Sequence, residues 1–300
     1  FAVALKPPRE CEGIFLQADG KKISTGILNG PKIVRPNSYI TDSYVLYLGP
    51  LIKKRLAIFD IGLEGIVNYG FFGGISTFLL SLLGRINSVV HNWGVSIILV
   101  TFLINIIMFP LTRKSFMSMQ KMQELQPHME KLKQLHKDNP QKMNKELMQL
   151  YKQYNVNPFG GCLPMLLQLP IFFAFYQALM RAIELKNASF LWIKDLSGPD
   201  ALFSFPQAIP LLGDKFNLLP LITMLVMVVQ QRFTTMHTAK QGSSEMAKQQ
   251  KFMALFFPLF FGFILYGFPS GLVLYWLTNS LLMTSEQFIL RRQMNLAKGV

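Results

Sequence analysis

The 300-residue chain is 51% hydrophobic and 13% aromatic, and only 15% of its residues are charged. These proportions exclude an ordinary soluble domain and point to a membrane protein. A formal net charge of +14 calls for an anionic partner, either phospholipid headgroups or nucleic acid.

The chain opens on Phe1-Ala2-Val3-Ala4-Leu5, with no basic stretch ahead of a short apolar core. This does not read as a signal peptide, and the expectation is a sequence that begins inside a larger protein. Residues 1–60 read as β structure: strands over 13–17 and 22–27 joined at Asp19-Gly20, and a later strand over 43–48. So few and such short strands bury little core, so they read as the end of a β-sandwich with partner strands upstream. Cys11 and Cys162 are too few for a disulfide framework or a thiolate metal site and read as free thiols.

Residues 61–91 form an interfacial region. In it Phe71, Phe72, Ile75, Phe78, Leu79, Leu82, Leu83 and Ile86 recur at helical spacing between polar residues. An amphipathic helix on the membrane surface fits this pattern, and a helix packed on the β region fits it too. Apolar runs then suggest a membrane core over 92–290, with spans at about 93–109, 163–180, 218–233, 252–268 and 270–290. The third is short, which implies a thinned bilayer around it.

Charge sets the orientation, because short cytoplasmic loops hold excess Lys and Arg. The segment 113–157 carries Arg113, Lys114, Lys121, Lys131, Lys133, Lys137, Lys142, Lys145 and Lys152 against Glu124, Glu130, Asp138 and Glu146. The connection between the second and third spans balances Lys186, Lys194 and Lys215 against Asp195, Asp200 and Asp214, whereas 232–251 and the 291–300 tail are again basic. Loops therefore alternate in, out, in, with the β region outside and the C-terminus in the cytoplasm. The expected class is a mainly α polytopic membrane protein, with a five-helix core, a cytoplasmic helical hairpin and a preceding β-sandwich fragment on the outer side, which the resemblance described below makes periplasmic.

In the hairpin, Phe116, Met119, Met122, Leu125, Met129, Leu132 and Leu135 follow three-four spacing. Met143, Leu147, Leu150 and Tyr154 do the same after Asp138-Asn139-Pro140. Two antiparallel helices are expected, with Pro127 kinking the first or starting its main segment. The methionines Met117, Met119, Met122, Met129, Met143, Met148, Met236 and Met246 suit either a hairpin core or a surface that meets varied apolar partners. The basic hairpin suits ribosomal RNA or anionic lipid but lacks interleaved aromatics, so specific nucleic-acid recognition is not expected.

No enzymatic motif is present, so no catalytic residue is expected. The histidines His91, His128, His136 and His237 are scattered, and neither a metal nor a cofactor is expected. Polar residues at membrane depth are the informative set: Thr101, Asn105, Gln168, Gln177, Gln230 and Gln231. Asn105 lies one turn after Thr101 on the same helix face. Together with Gln168 they either line a groove or bond between helices of a closed bundle.

Several strings carry a resemblance: Asn92-Trp93-Gly94-Val95-Ser96-Ile97-Ile98, Pro110-Leu111-Thr112, Asn157-Pro158-Phe159-Gly160-Gly161-Cys162-Leu163-Pro164, and Phe268-Pro269-Ser270-Gly271-Leu272-Val273-Leu274-Tyr275-Trp276. In these the chain resembles the bacterial YidC-type insertases of the YidC/Oxa/Alb family, from about residue 44 to the end. The resemblance implies a missing first transmembrane helix and a missing larger part of a periplasmic domain. It also implies a bacterial inner-membrane location and a hydrated groove open to cytoplasm and lipid. Such a groove receives hydrophobic segments of nascent membrane proteins and helps them insert and fold, alone or with a Sec translocon. The ribosome, the signal recognition particle system and anionic phospholipid are further implied partners.

By the same resemblance, substrate contacts fall on Thr101, Leu169, Phe172, Tyr275 and Trp276, and Gln231 looks like another groove position. Asn105 stands where the family usually places a groove arginine, which keeps polarity but removes a charge. Hydration and bilayer thinning then suffice, or Arg113 or Arg232 substitutes from the rim. A transporter or channel, and a passive assembly scaffold, are the competing functions. No inverted repeat and no mid-membrane acid favours the former.

Overall fold

The computed structural model describes residues 2–6, 11–49, 56, 70–137, 139–157, 163–210, 213–235 and 245–297. Expectations for Cys162, Met236, His237, the 158–162 part of the third motif and the junction near residue 60 lie outside these residues. The chain divides into two units, residues 1–68 and 69–300, each taken here by itself.

The first unit holds β1 (Ala2–Lys6), β2 (Gly13–Asp19), β3 (Lys22–Leu28) and β4 (Val45–Gly49). β2 and β3 form the expected antiparallel hairpin, with Asp19 opposite Lys22. Its tight turn needs a left-handed residue, which Gly20 supplies at φ 58°. β1, which the sequence reading did not single out, pairs antiparallel with β4. The described strands are thus two separate two-stranded ribbons and not a sandwich. Ile14, Leu16 and Ile23 are exposed, while among the described residues of this unit Tyr47 and Leu56 are the buried hydrophobics. Two strands alone bury too little for independent stability, which is why their apolar faces stay open.

The second unit is helical. α1 (Gly73–Val90) turns Ser76, Leu79 and Leu83 inward and leaves Phe71, Ile75 and Phe78, at and just before its first turns, exposed. Its inner face lies on helices of this unit, and the Ser76 hydroxyl donates to the Ala174 carbonyl at 2.9 Å. The helix ends where His91 takes a left-handed conformation, and Asn92 immediately caps the next helix by accepting from the Val95 N–H at 3.1 Å.

That helix, α2 (Trp93–Glu124), is continuous. The expected span and the start of the hairpin are therefore one rod, broken only at Leu125. Pro127 sits in the first turn of α3 (Gln126–Leu135), where a missing N–H costs nothing. α4 (Pro140–Gln153) follows, capped by Asn139. Contacts recede evenly from the turn, His136 meeting Glu146 and Met129 meeting Tyr151, so the pair is antiparallel. Leu125, Met129, Leu147 and Val156 form its core with Met122 and Met143, whereas Met117 and Met148 are exposed.

α5 (Leu163–Arg181) leads through a 3-10 turn (Ile183–Leu185) into a long connection that contains the ribbon β5 (Phe203–Ile209) and β6 (Gly213–Phe216). α6 (Leu218–Thr235), α7 (Glu245–Leu265) and α8 (Ser270–Ala297) complete the bundle. Gly73–Val90 and Trp93–Met122 are long and apolar enough to cross a membrane; Leu166–Arg181, Leu218–Arg232 and Phe252–Leu265 are shorter apolar helices. α7 exposes Phe252, Phe256 and Phe260 as a stacked ladder with 5.5 Å ring spacings.

Candidate functional site

The bundle is built differently at its two ends. At one end Ile97 and Val100 of α2, Phe175 of α5 and Leu272 of α8 are fully buried, and Leu196 of the long connection joins their core. The connection is tied down by polar bonds. Ser270 donates through its N–H to the Gly198 carbonyl at 2.7 Å, and the Gly271 N–H donates to the Leu196 carbonyl at 2.9 Å. A Cβ on Gly271 would stand 3.0 Å from that same carbonyl, so a larger residue would have to push the connection outward and glycine eases the approach. Asp200 Oδ2 accepts from the Leu218 and Leu219 N–H groups and from Trp192 Nε1, satisfying the N-terminus of α6. Asn217 bonds the Tyr266 carbonyl at 2.8 Å. This end is closed.

Ser115 lies 18 residues along α2 from Ile97, roughly 27 Å at helical rise. Here the same five helices part around a cavity of about 290 Å³. α2 contributes Thr112, Ser115, Phe116 and Met119, and α5 contributes Gln168, Leu169 and Phe172. Met227, Gln230 and Gln231 come from α6, and Phe257, Pro258 and Phe261 from α7. α8 presents Trp276, Asn279, Ser280, Met283 and Gln287. Pro110, Pro170 and Pro258 lie inside three of these helices, each removing one helical hydrogen bond near the level of the cavity.

The lining is mainly apolar, built of aromatic and methionine side chains with amides and hydroxyls set among them, and is uncharged among the described residues. Trp276 joins three helices: its ring meets Phe172 edge-on at 5.1 Å and stacks on Phe261 at 5.3 Å. Arg113, Lys114 and Arg232 are exposed outside it. Arg291 lies 5.9 Å over the ring of Phe116, and partial burial lowers its pKa. No group of three or more His, Cys, Asp or Glu that could hold a metal occurs among the described residues.

Of the eight sequence-derived site residues, Gln168, Leu169, Phe172, Gln231 and Trp276 line this cavity, and Thr101, Asn105 and Tyr275 do not. Thr101 is fully buried and donates to the Ile97 carbonyl at 2.7 Å. Tyr275 is fully buried, stacks on Phe175 at 4.4 Å and accepts a bond from Gln168. Asn105 donates to the Thr101 carbonyl at 2.8 Å and to Asn279 Oδ1 at 3.0 Å. Of the remaining polar residues, Gln230 lines the cavity and Gln177 does not; Gln177 Oε1 is buried with no hydrogen-bond partner among the described residues. Asn279, Ser115 and Gln287 were missed by sequence reasoning. A signal existed, since Trp276, Asn279, Ser280, Met283 and Gln287 fall at helical spacing on one stripe of α8.

The model of the 60Kd inner membrane protein family matches residues 85–298. The chain belongs to that family. The expectation drawn from the Asn92-Trp93-Gly94 and Pro269-Ser270-Gly271 runs is therefore met. Similar relatives are the membrane protein insertase YidC of Endomicrobium trichonymphae, 42% identical over 299 residues, and that of Francisella tularensis subsp. novicida, 39% identical over 279. The alignments cover 98% and 93% of this chain but 54% and 46% of those relatives, so the chain spans about half the length of the curated relatives it matches. These relatives are named for insertion and not for a catalytic reaction. A solved structure of an active YidC insertase with its first transmembrane domain resolved aligns with a TM-score of 0.54 at 24% identity, covering 91% of this chain and 59% of that one. It shares the fold.

Proposed function

We propose that this chain forms the core of a membrane protein insertase and chaperone, which takes hydrophobic segments of nascent proteins from the cytoplasm and releases them sideways into the inner membrane. The observation that carries the reading is the contrast between the two bundle ends. A cavity lined by amides and aromatics lies where α2 runs on towards the basic hairpin, and a closed core lies beneath the long connection. Such a pocket shortens the path over which a polar tail is desolvated, and the short apolar run of α6 suits a thinned bilayer.

In this reading α2, α5, α6, α7 and α8 cross the membrane and α1 lies at its outer interface. The β ribbons and the long connection face the periplasm, and the hairpin and C-terminus face the cytoplasm. The exposed ladder of Phe252, Phe256 and Phe260 suits lipid. Leu169, Phe172, Trp276, Gln168 and Gln231 meet the substrate, while Thr101, Asn105 and Tyr275 hold the wall from behind. The basic hairpin and tail suit anionic phospholipid and the ribosome, and a Sec translocon and the signal recognition particle system are proposed as cooperating partners.

The test is reconstitution of the protein into liposomes with a single-span reporter that carries a short polar tail. Photo-crosslinkers at Leu169 and Trp276 should capture the span, and the tail should become protected from protease. Crosslinks without protection would favour an assembly scaffold, and ion flux without protection a channel.

A further inference from the structure

The Asn105–Asn279 contact fixes more than a helix pairing. Asn105 Nδ2 is bonded to the Thr101 backbone carbonyl, which can only accept, so the amide of Asn105 is oriented with its nitrogen toward that carbonyl and toward Asn279. The group that Asn279 turns to it must then be its carbonyl oxygen. The amide nitrogen of Asn279 is left on the other side, where its partner among the described residues is the Met283 sulfur at 3.6 Å, a weak acceptor. One turn earlier on the same face, Trp276 Nε1, which can only donate, is buried with no partner among the described residues. Both residues line the cavity. Buried donors of this kind are costly unless something accepts from them.

We propose that Asn279 and Trp276 form a neutral donor site that binds backbone carbonyls of the incoming segment, with Asn105 as the positioning residue that turns the Asn279 amide into the cavity. The substrate class is therefore a polypeptide segment with unpaired carbonyl oxygens, accepted whatever the charge of its tail. Ser115, 96% buried with its hydroxyl unpartnered among the described residues, lies on the same cavity wall. Among the described residues the lining itself carries no charged side chain, and Arg291 meets it only through the outer contact with the ring of Phe116. It rests on the proposed insertase function and adds what is recognised.

The test uses the protein in liposomes with three reporters that share one span and differ only in an acidic, neutral or basic tail. Wild type should insert all three within about twofold of one another, because no lining charge discriminates them. Trp276→Phe keeps an aromatic ring but removes the donor. Asn279→Asp keeps the oxygen facing Asn105 but removes the donating nitrogen. Each should lower insertion of all three reporters by about fivefold, the effect of one lost hydrogen bond. Trp276→Phe keeps a smaller aromatic ring at the site, and equal thermal stability of the variant excludes misfolding as the cause of a loss. An acidic-tail preference of about tenfold or more in wild type overturns the proposal, as does normal insertion by both variants. If wild type inserts none of the reporters, the insertase reading itself fails.

Discussion

Gly94, in the first turn of α2, and Phe190, in the connection between α5 and α6, touch so closely that a Cβ on Gly94 would fall 2.1 Å from Phe190 Cγ and 2.6 Å from Phe190 Cβ. Rotation of the ring relieves only the first of these, because the Phe190 Cβ is held by the backbone. Phe190 is itself held by reciprocal 2.9 Å backbone bonds with Ile193. Gly94→Ala should therefore destabilise the closed end by about 1–3 kcal/mol, the usual cost of overpacking. Thermal unfolding in detergent reads the loss, and an unchanged midpoint would mean that the connection moves freely away from α2.

Asp200 holds the same connection to α6 through one carboxylate oxygen with three donors. Asp200→Ala should cost about 1–2 kcal/mol, as for loss of a helix-capping acceptor, and should expose the connection to protease. Asp200→Asn keeps an acceptor and should retain most of the stability. Equal proteolysis of the two variants would show that the cap does not secure this segment.

In the hairpin, burial and charge make unequal contributions. Leu147 belongs to the four-residue core, whereas the His136–Glu146 pair, at 2.9 Å, is partly exposed. Leu147→Ala should lower hairpin stability by about 2–4 kcal/mol and Glu146→Gln by less than about 1 kcal/mol. Amide hydrogen exchange across α3 and α4 distinguishes them, and equal effects would contradict a core-driven hairpin.

Tyr151, on α4, has its hydroxyl pushed above its ordinary value of 10.0 by burial. A raised folded-state value favours the neutral phenol in the fold, so its stabilising contribution is complete below about pH 10 and falls as pH rises through the folded value. The hairpin should loosen at alkaline pH, with faster exchange in α4 than at neutral pH after correction for intrinsic rates. Tyr151→Phe should remove that component, and an identical alkaline profile in the variant would assign the loosening to another group.

Much of the fold is legible without coordinates because its signals are local. Apolar runs mark α2, α5, α6, α7 and α8, Pro127 marks the start of α3, and Asp19-Gly20 marks the β2–β3 hairpin. The continuity of α2 was not legible, since the basic residues after Arg113 imitate the start of a separate loop while costing a helix nothing. Nor was the β5–β6 ribbon, whose Pro206 and interrupted register weaken the strand signal.

The sequence by itself determined the membrane class, the loop charge asymmetry, the hairpin and the family, because hydropathy, charge and motif spacing are properties of neighbours along the chain. It also placed five of the eight candidate residues on the cavity wall. Only the tertiary structure decided that Thr101, Asn105 and Tyr275 do not line the cavity and that Asn279, which bonds Asn105 across 174 residues of sequence, does. The direction of a carboxamide depends on which partner across the bundle can accept and which can donate, and helix periodicity does not specify that.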